Sequence, residues 1–233
     1  MVNERTIGQI ADLWKKDNLW KKSTFATYSF IVDTHILPSF GLLEHVTEKD
    51  VQDFVLHKLE SGISQKTIKD MLIVLRMILK FGAKHNYCSY IPFDVIYPTD
   101  CERQELEVLS IANQKKIIRY VVENFTFRNL GIFICLSTGM RIGEICALTW
   151  DDIDINLGVI RVRKTLQRIY TRENGVNRTE LVIDTPKTST SMRDIPMTKD
   201  LLNVLKPLAK VVNKEYVVLT NDVVPTEPRT YRL

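Results

Sequence analysis

Over roughly the first ninety residues, apolar side chains recur every three to four positions, and each run follows a residue that can cap a helix. Thr6 precedes Ile7, Ile10, Leu13 and Trp14, which share one helical face. Ser23 or Thr24 is expected to open a second helix through Phe25, Tyr28, Ile31 and Val32, ending near Pro38 and Gly41. Thr47, with Asp50 three residues on, begins a third through Val51, Phe54 and Val55 that stops at Ser61-Gly62. Ser64 caps the longest, in which Ile68, Met71, Leu72, Leu75, Ile78 and Leu79 form one apolar face. Four helices with short joints predict a compact bundle over residues 1–91.

The periodicity lapses at Ile91-Pro-Phe-Asp-Val-Ile-Tyr-Pro98, and a mixed-charge run follows. Prolines and charges in that order predict a linker over residues 92–105. In residues 106–233 the pattern alternates between two periods. Helices are expected at about 111–124, 127–137 and 199–208, with a further one carrying Arg141. Val159–Arg163, Leu181–Asp184 and Arg193–Met197 read as strands, the first alternating apolar with basic residues. Asn174-Gly175 marks a turn in the loop between the first two strands. The apolar run Tyr216–Leu219 comes late in the chain.

Composition narrows the class. The 233 residues are 45% hydrophobic and 26% charged, as in globular proteins. The first residues lack the apolar run of a signal peptide, and the longest apolar stretch, near 130–136, is too short to span a bilayer. Cys88, Cys101, Cys135 and Cys146 fit no metal or redox spacing, so reduced thiols and a cytoplasmic location are expected.

Net charge is +4, but its distribution says more. Residues 1–97 hold 12 basic and 11 acidic side chains, whereas residues 159–193 hold eight basic against three acidic. Such a concentration suits either a phosphate-binding surface or a solvated hairpin. On the longest helix, Lys66, Lys69, Arg76, Lys80 and Lys84 fall on one side, opposite the apolar face. That stripe is either a soluble face or a helix lying along a DNA groove with its cations on phosphates.

The densest chemistry lies in Ser137-Thr-Gly-Met-Arg-Ile-Gly-Glu-Ile-Cys-Ala-Leu-Thr-Trp-Asp-Asp-Ile-Asp154. Thr138-Gly139 supplies a turn, and Arg141 a planar fork beside a helix N-terminus, a combination suited to phosphate. Glu144 can orient Arg141 by a charge-assisted bond, while Ile142, Ile145 and Leu148 anchor the helix. Lys187, in Thr-Pro-Lys-Thr-Ser, sits at a turn between strands, from which it could reach a leaving oxygen or hold a phosphate. The hydroxyls of Thr188, Ser189, Thr190 and Ser191 have no evident base beside them and read as turn residues.

Together with Thr185-Pro-Lys-Thr-Ser-Thr-Ser-Met-Arg-Asp-Ile-Pro196, 46 residues separating Arg141 from Lys187, this segment resembles tyrosine site-specific recombinases of the phage integrase family. The resemblance implies a mainly α fold with a small antiparallel sheet: a four-helix, SAM-like core-binding domain, then a truncated α+β catalytic domain. It implies strand cleavage and rejoining through a 3′-phosphotyrosine, without metal or nucleotide cofactor, by a tetramer on double-stranded DNA. Arg141 would be the first catalytic arginine, Glu144 its supporting neighbour, and Lys187 the general acid on the departing 5′-hydroxyl. Lys21, Lys22 and Thr24 join the stripe of the longest helix as candidate DNA contacts, with Arg161, Arg163 and Arg193 from the strands.

The chain departs from that pattern after the hairpin. The family carries a His-x-x-Arg segment, another His or Trp and the tyrosine nucleophile, yet His35, His45, His57 and His85 all precede Arg141. Tyr170, Tyr216 and Tyr231 follow it outside the family's nucleophile context, and the segment around Tyr231 reads as the lead-in to a later helix. The expectation is therefore a C-terminally truncated recombinase, inactive alone, with exposed apolar surface and low stability. The alternatives are a non-catalytic DNA-binding remnant that occupies recombination sites or interferes with the active enzyme, and a DNA-binding regulator with a ligand-sensing second domain.

Overall fold

The computed structural model describes residues 4–90, 92–98, 108–173, 175–186 and 191–232. It divides into two compact units, one of Met1–Gln104 with Ile169–Thr179, the other of Glu105–Arg168 with Glu180–Leu233.

Up to Lys84 the first unit is helical for the reasons the pattern gives. Helix α1 (Ile7–Asp17) starts in a reciprocal cap, Thr6 Oγ1 accepting from the Gln9 amide while Gln9 Oε1 accepts from that of Thr6. Helix α2 (Lys22–Ile31) begins earlier than Ser23 or Thr24: Lys21 is its N-cap and makes no side-chain cap, so the hydroxyls fall inside the first turn. A π-helical turn (Val32–Ile36) carries it into α3 (Leu37–Phe40), ending at Gly41. Pro38, which has no N–H to donate, stands just past the widened turn.

Helix α4 (Glu48–Glu60) is held by the Thr47–Asp50 capping box. Helix α5 (Gln65–Lys84) starts at Ser64 and buries Ile68, Met71, Leu72, Leu75 and Ile78 against α1, α4 and the π turn. Residues 92–98, expected as the first half of a linker, lie strapped to this bundle. Phe93 is buried, Gln52 exchanges two hydrogen bonds with the Ile96 backbone, and Gln65 donates to the Pro98 carbonyl.

In the second unit, the expected helices α6 (Ile111–Glu123) and α7 (Phe127–Thr138) form and pack together. Next along the chain come the single-turn helix α8 (Ile142–Cys146), a 3-10 turn (Trp150–Asp152), and strands β1 (Ile153–Asp154), β2 (Val159–Val162), β3 (Thr165–Glu173), β4 (Val176–Asp184) and β5 (Arg193–Pro196), the stretch Ile169–Thr179 of β3 and β4 belonging to the first unit. Helices α9 (Lys199–Leu208) and α10 (Pro228–Tyr231) complete the described elements. The main sheet is antiparallel, ordered β1-β2-β5, with Val162 opposite Arg193; β3 and β4 form a separate two-stranded ribbon.

Strand β3 and the first half of β4 occupy what the pattern suggested was a loop. Among the described side chains of β3, Leu166 and Ile169 are the buried ones, three residues apart, so no period of two marks it. The apolar run Tyr216–Leu219 makes isolated bridges through Val217, to Thr149 and Asp222. It runs beside Leu148–Trp150, with Val218 N–H bonded to the Leu148 carbonyl and Val217 and Val218 buried. No helix among the described residues is long and apolar enough to cross a membrane.

Candidate functional site

Side chains anticipated in two separate segments of the sequence meet in the second unit: the pair Arg141 and Glu144, and Arg193. Helix α7 ends at Gly139, whose φ of +64 lies in the left-handed region, and its N–H bonds to the Cys135 carbonyl. The reversed chain buries Met140 and delivers Arg141 as the N-cap of α8. Since α8 is five residues long, its dipole adds little, and the guanidinium carries the local positive charge.

Glu144 belongs to the first turn of α8 and is only 3% exposed. Its Oε2 accepts the Arg141 backbone N–H at 3.0 Å, and Oε1 accepts from Arg141 NH1 at 2.9 Å. Glu144 thus caps the Arg141 backbone amide as well as forming the expected ion pair. Arg193 approaches from β5 with NH1 on Oε1 at 3.1 Å and NH2 on Oε2 at 2.9 Å. Burial pushes the Glu144 carboxyl up, but hydrogen bonds from Arg193 and Arg141 outweigh it and hold the group below its ordinary value. The Arg141 side chain itself is 69% exposed.

Gly143 lets α8 approach the ribbon. A Cβ there would lie 2.6 Å from the Leu166 carbonyl oxygen and 2.7 Å from Thr165 Oγ1. The glycine between Arg141 and Glu144 is therefore set by close packing, a reason the motif alone does not disclose.

The other basic residues of 159–193 are mostly committed to carboxylates. Arg161 bonds Asp154 at 2.6 Å, Arg163 bonds Asp194 and the Val162 and Arg193 carbonyls, and Lys164 reaches Asp152 at 2.9 Å and Thr149 at 3.0 Å. Arg168 grips Glu227 through two nitrogens, and Arg172 lies 3.6 Å from Asp33. The linear surplus of positive charge is thus offset by acids brought in by folding. Lys187 and Thr188–Thr190 lie outside the described residues.

In the first unit, Lys66, Lys69, Lys80 and Lys84 are exposed along α5, while Arg76 is half-buried over Phe93 and donates to its carbonyl. Lys69 and Lys80 lie over the Tyr97 and Tyr90 rings at 4.8 and 5.8 Å. Lys21 and Lys22 are exposed at the start of α2, and Thr24 is half-buried there.

The sequence reading missed Arg193 as the partner of Glu144, and Lys164 as that of Asp152. One signal was available: a glutamate among Ile142, Gly143, Ile145 and Cys146 is placed for burial, and a buried carboxylate needs more than one donor. Among the described residues no cluster of His, Cys, Asp and Glu could hold a metal ion.

A sequence profile described as the phage integrase family matches residues 107–233. The ICEBs1 integrase of Bacillus subtilis (strain 168) is 26% identical over 188 residues, covering 80% of this chain and 49% of that protein. The chain spans about half the length of the curated relatives it matches. Among solved structures, the Tn1549 transposon integrase in complex with transposon right end DNA superposes with a TM-score of 0.70 at 23% identity, over 90% of this chain and 66% of that one. A lambda integrase tetramer bound to a Holliday junction superposes at 0.59 and 16% identity, over 98% and 64%. At these identities the two structures speak to the fold.

Proposed function

The chain belongs to the phage integrase family, and from that premise we propose that it acts in site-specific DNA recombination, with Arg141 as a ligand of the scissile phosphate. The observation that carries the reading is the state of Arg141: a largely exposed guanidinium, pinned at one N–H by a buried carboxylate and otherwise without a partner among the described residues. A fork fixed in this way offers paired donors to the non-bridging oxygens of a phosphodiester. It would stabilise the charge that grows on them as the attacking oxygen adds. Lys187 is the proposed donor of a proton to the departing 5′-oxygen. Double-stranded DNA is the proposed partner, held by the α5 lysines and, at cleavage, by a tetramer.

Two of the three tyrosines that follow Arg141 in residues 1–233, Tyr170 and Tyr231, have their hydroxyls engaged and offer no ready nucleophile. The Tyr170 hydroxyl is shared between Asp33 at 3.2 Å and Asn177 at 2.8 Å. The Tyr231 hydroxyl donates to the Arg128 carbonyl at 2.7 Å, and burial foremost pushes its ionisation up. Residues 1–233 alone are therefore expected to bind DNA without cutting it.

The test is a nicked suicide substrate, on which a covalent intermediate accumulates, together with a mobility-shift assay. The expected result is a shifted, non-covalent complex that Arg141→Gln weakens. A covalent adduct lost on Tyr231→Phe would overturn the inactivity of this form, and no binding at low salt would overturn the DNA reading.

A further inference from the structure

Glu144 is shared between two arginines, and the sharing has an electrostatic consequence. Its two oxygens offer about four lone-pair sites. Arg141 fills one on each oxygen, from its backbone N–H and its guanidinium, and Arg193 fills the others with two nitrogens. One carboxylate against two guanidiniums leaves one positive charge. An Arg141–Glu144 pair alone would be neutral, and an approaching phosphate would meet a dipole instead of a cation.

The surplus is presented through Arg141, because the Arg193 side chain is 31% exposed against 69% for Arg141. Arg193 has both terminal nitrogens on Glu144, with NH1 also donating to the Ser191 carbonyl at 3.1 Å. Its backbone is fixed by the β2–β5 pairing, and its carbonyl accepts from Arg163 NH1.

We propose that Arg193 is a positioning residue: by neutralising and locking Glu144, it leaves Arg141 as an uncompensated cation for the phosphate, and it does not itself contact DNA. This differs from the expectation that Arg193 is a direct DNA contact, and it rests on Arg141 being the phosphate ligand. The same geometry explains why the acid at this position can be buried.

The experiment is a mutant cycle on the 233-residue chain, with a labelled random-sequence DNA duplex titrated over a range of salt concentrations. Arg141→Gln is expected to weaken binding and to lower the salt slope by about one, as for one lost phosphate contact. Arg193→Gln should do the same in the native background, and Arg193→Lys, which keeps the charge, should restore the slope. In a Glu144→Gln background, where no carboxylate remains to neutralise, Arg193→Gln leaves the single positive charge of Arg141, so the double variant should bind with the native affinity and slope.

A double variant that binds below the native chain, with a lower slope, would mean direct contact by Arg193 and overturn the proposal. An Arg141→Gln variant that binds with native affinity and slope would sink the underlying phosphate reading, a distinct outcome. Should Arg193→Gln fail to fold, the cycle stands with Arg193→Lys. Its small residual loss must then vanish in Glu144→Gln, and persistence counts against the proposal.

Discussion

Single positions around α8 govern whether Arg141 can be presented at all. A side chain at Gly143 would press on the Leu166 carbonyl, which belongs to backbone and cannot swing aside. Gly143→Ala is expected to cost about 1–3 kcal/mol and to lower the melting temperature; an unchanged melt would show that α8 and β3 can separate. Arg193→Gln leaves a buried carboxylate with one cationic partner, a loss of about 3 kcal/mol at neutral pH. Because the folded-state ionisation of Glu144 lies below its ordinary value, its contribution is present above the carboxylate range and lost as pH falls through the folded value. The stability gap between native protein and Arg193→Gln should thus be widest at neutral pH and narrow in acid. Denaturant melts at several pH values would reveal a constant gap if that account is wrong.

Among the elements, those with strong local signals formed where the sequence put them. The capping boxes at Thr6 and Thr47 and the caps at Ser64, Ser110, Thr126 and Thr198 each satisfy an amide that the helix itself cannot. Thr47→Ala should destabilise the first unit by about 1 kcal/mol, read by urea unfolding, whereas Thr24→Ala, inside α2 and not its cap, should cost no capping energy. The start of α2 was misplaced because two hydroxyls suggested a cap that Lys21 takes without one. Strand β3 and the first half of β4 were illegible because β3 buries Leu166 and Ile169 at a helical spacing and Val176–Thr179 are exposed throughout.

For the molecule as a whole, a net charge of +4 says less than the way the charges are spent. Arg161, Arg163 and Lys164 each face a carboxylate, while Lys66, Lys69, Lys80 and Lys84 stand exposed along some 27 Å of α5. The salt dependence of DNA binding should come chiefly from the lysines. Replacing all four by alanine is expected to reduce the slope of log affinity against log salt by about 3–4. Replacing Arg161 and Arg163 should change it by less than half as much, and the reverse ranking would place the DNA on the strand side.

The sequence by itself determined the helices, because caps and apolar stripes act within a turn or two of chain. It also marked Arg141 and Glu144, three residues apart, as a pair. What only the tertiary structure decided is which charges remain available. Arg193 is 49 residues from Glu144 and Glu227 is 59 from Arg168, and no local pattern announces such pairs. Sheet pairing and burial bring them together, turning a run of basic residues into mostly compensated ion pairs and leaving the guanidinium of Arg141 exposed.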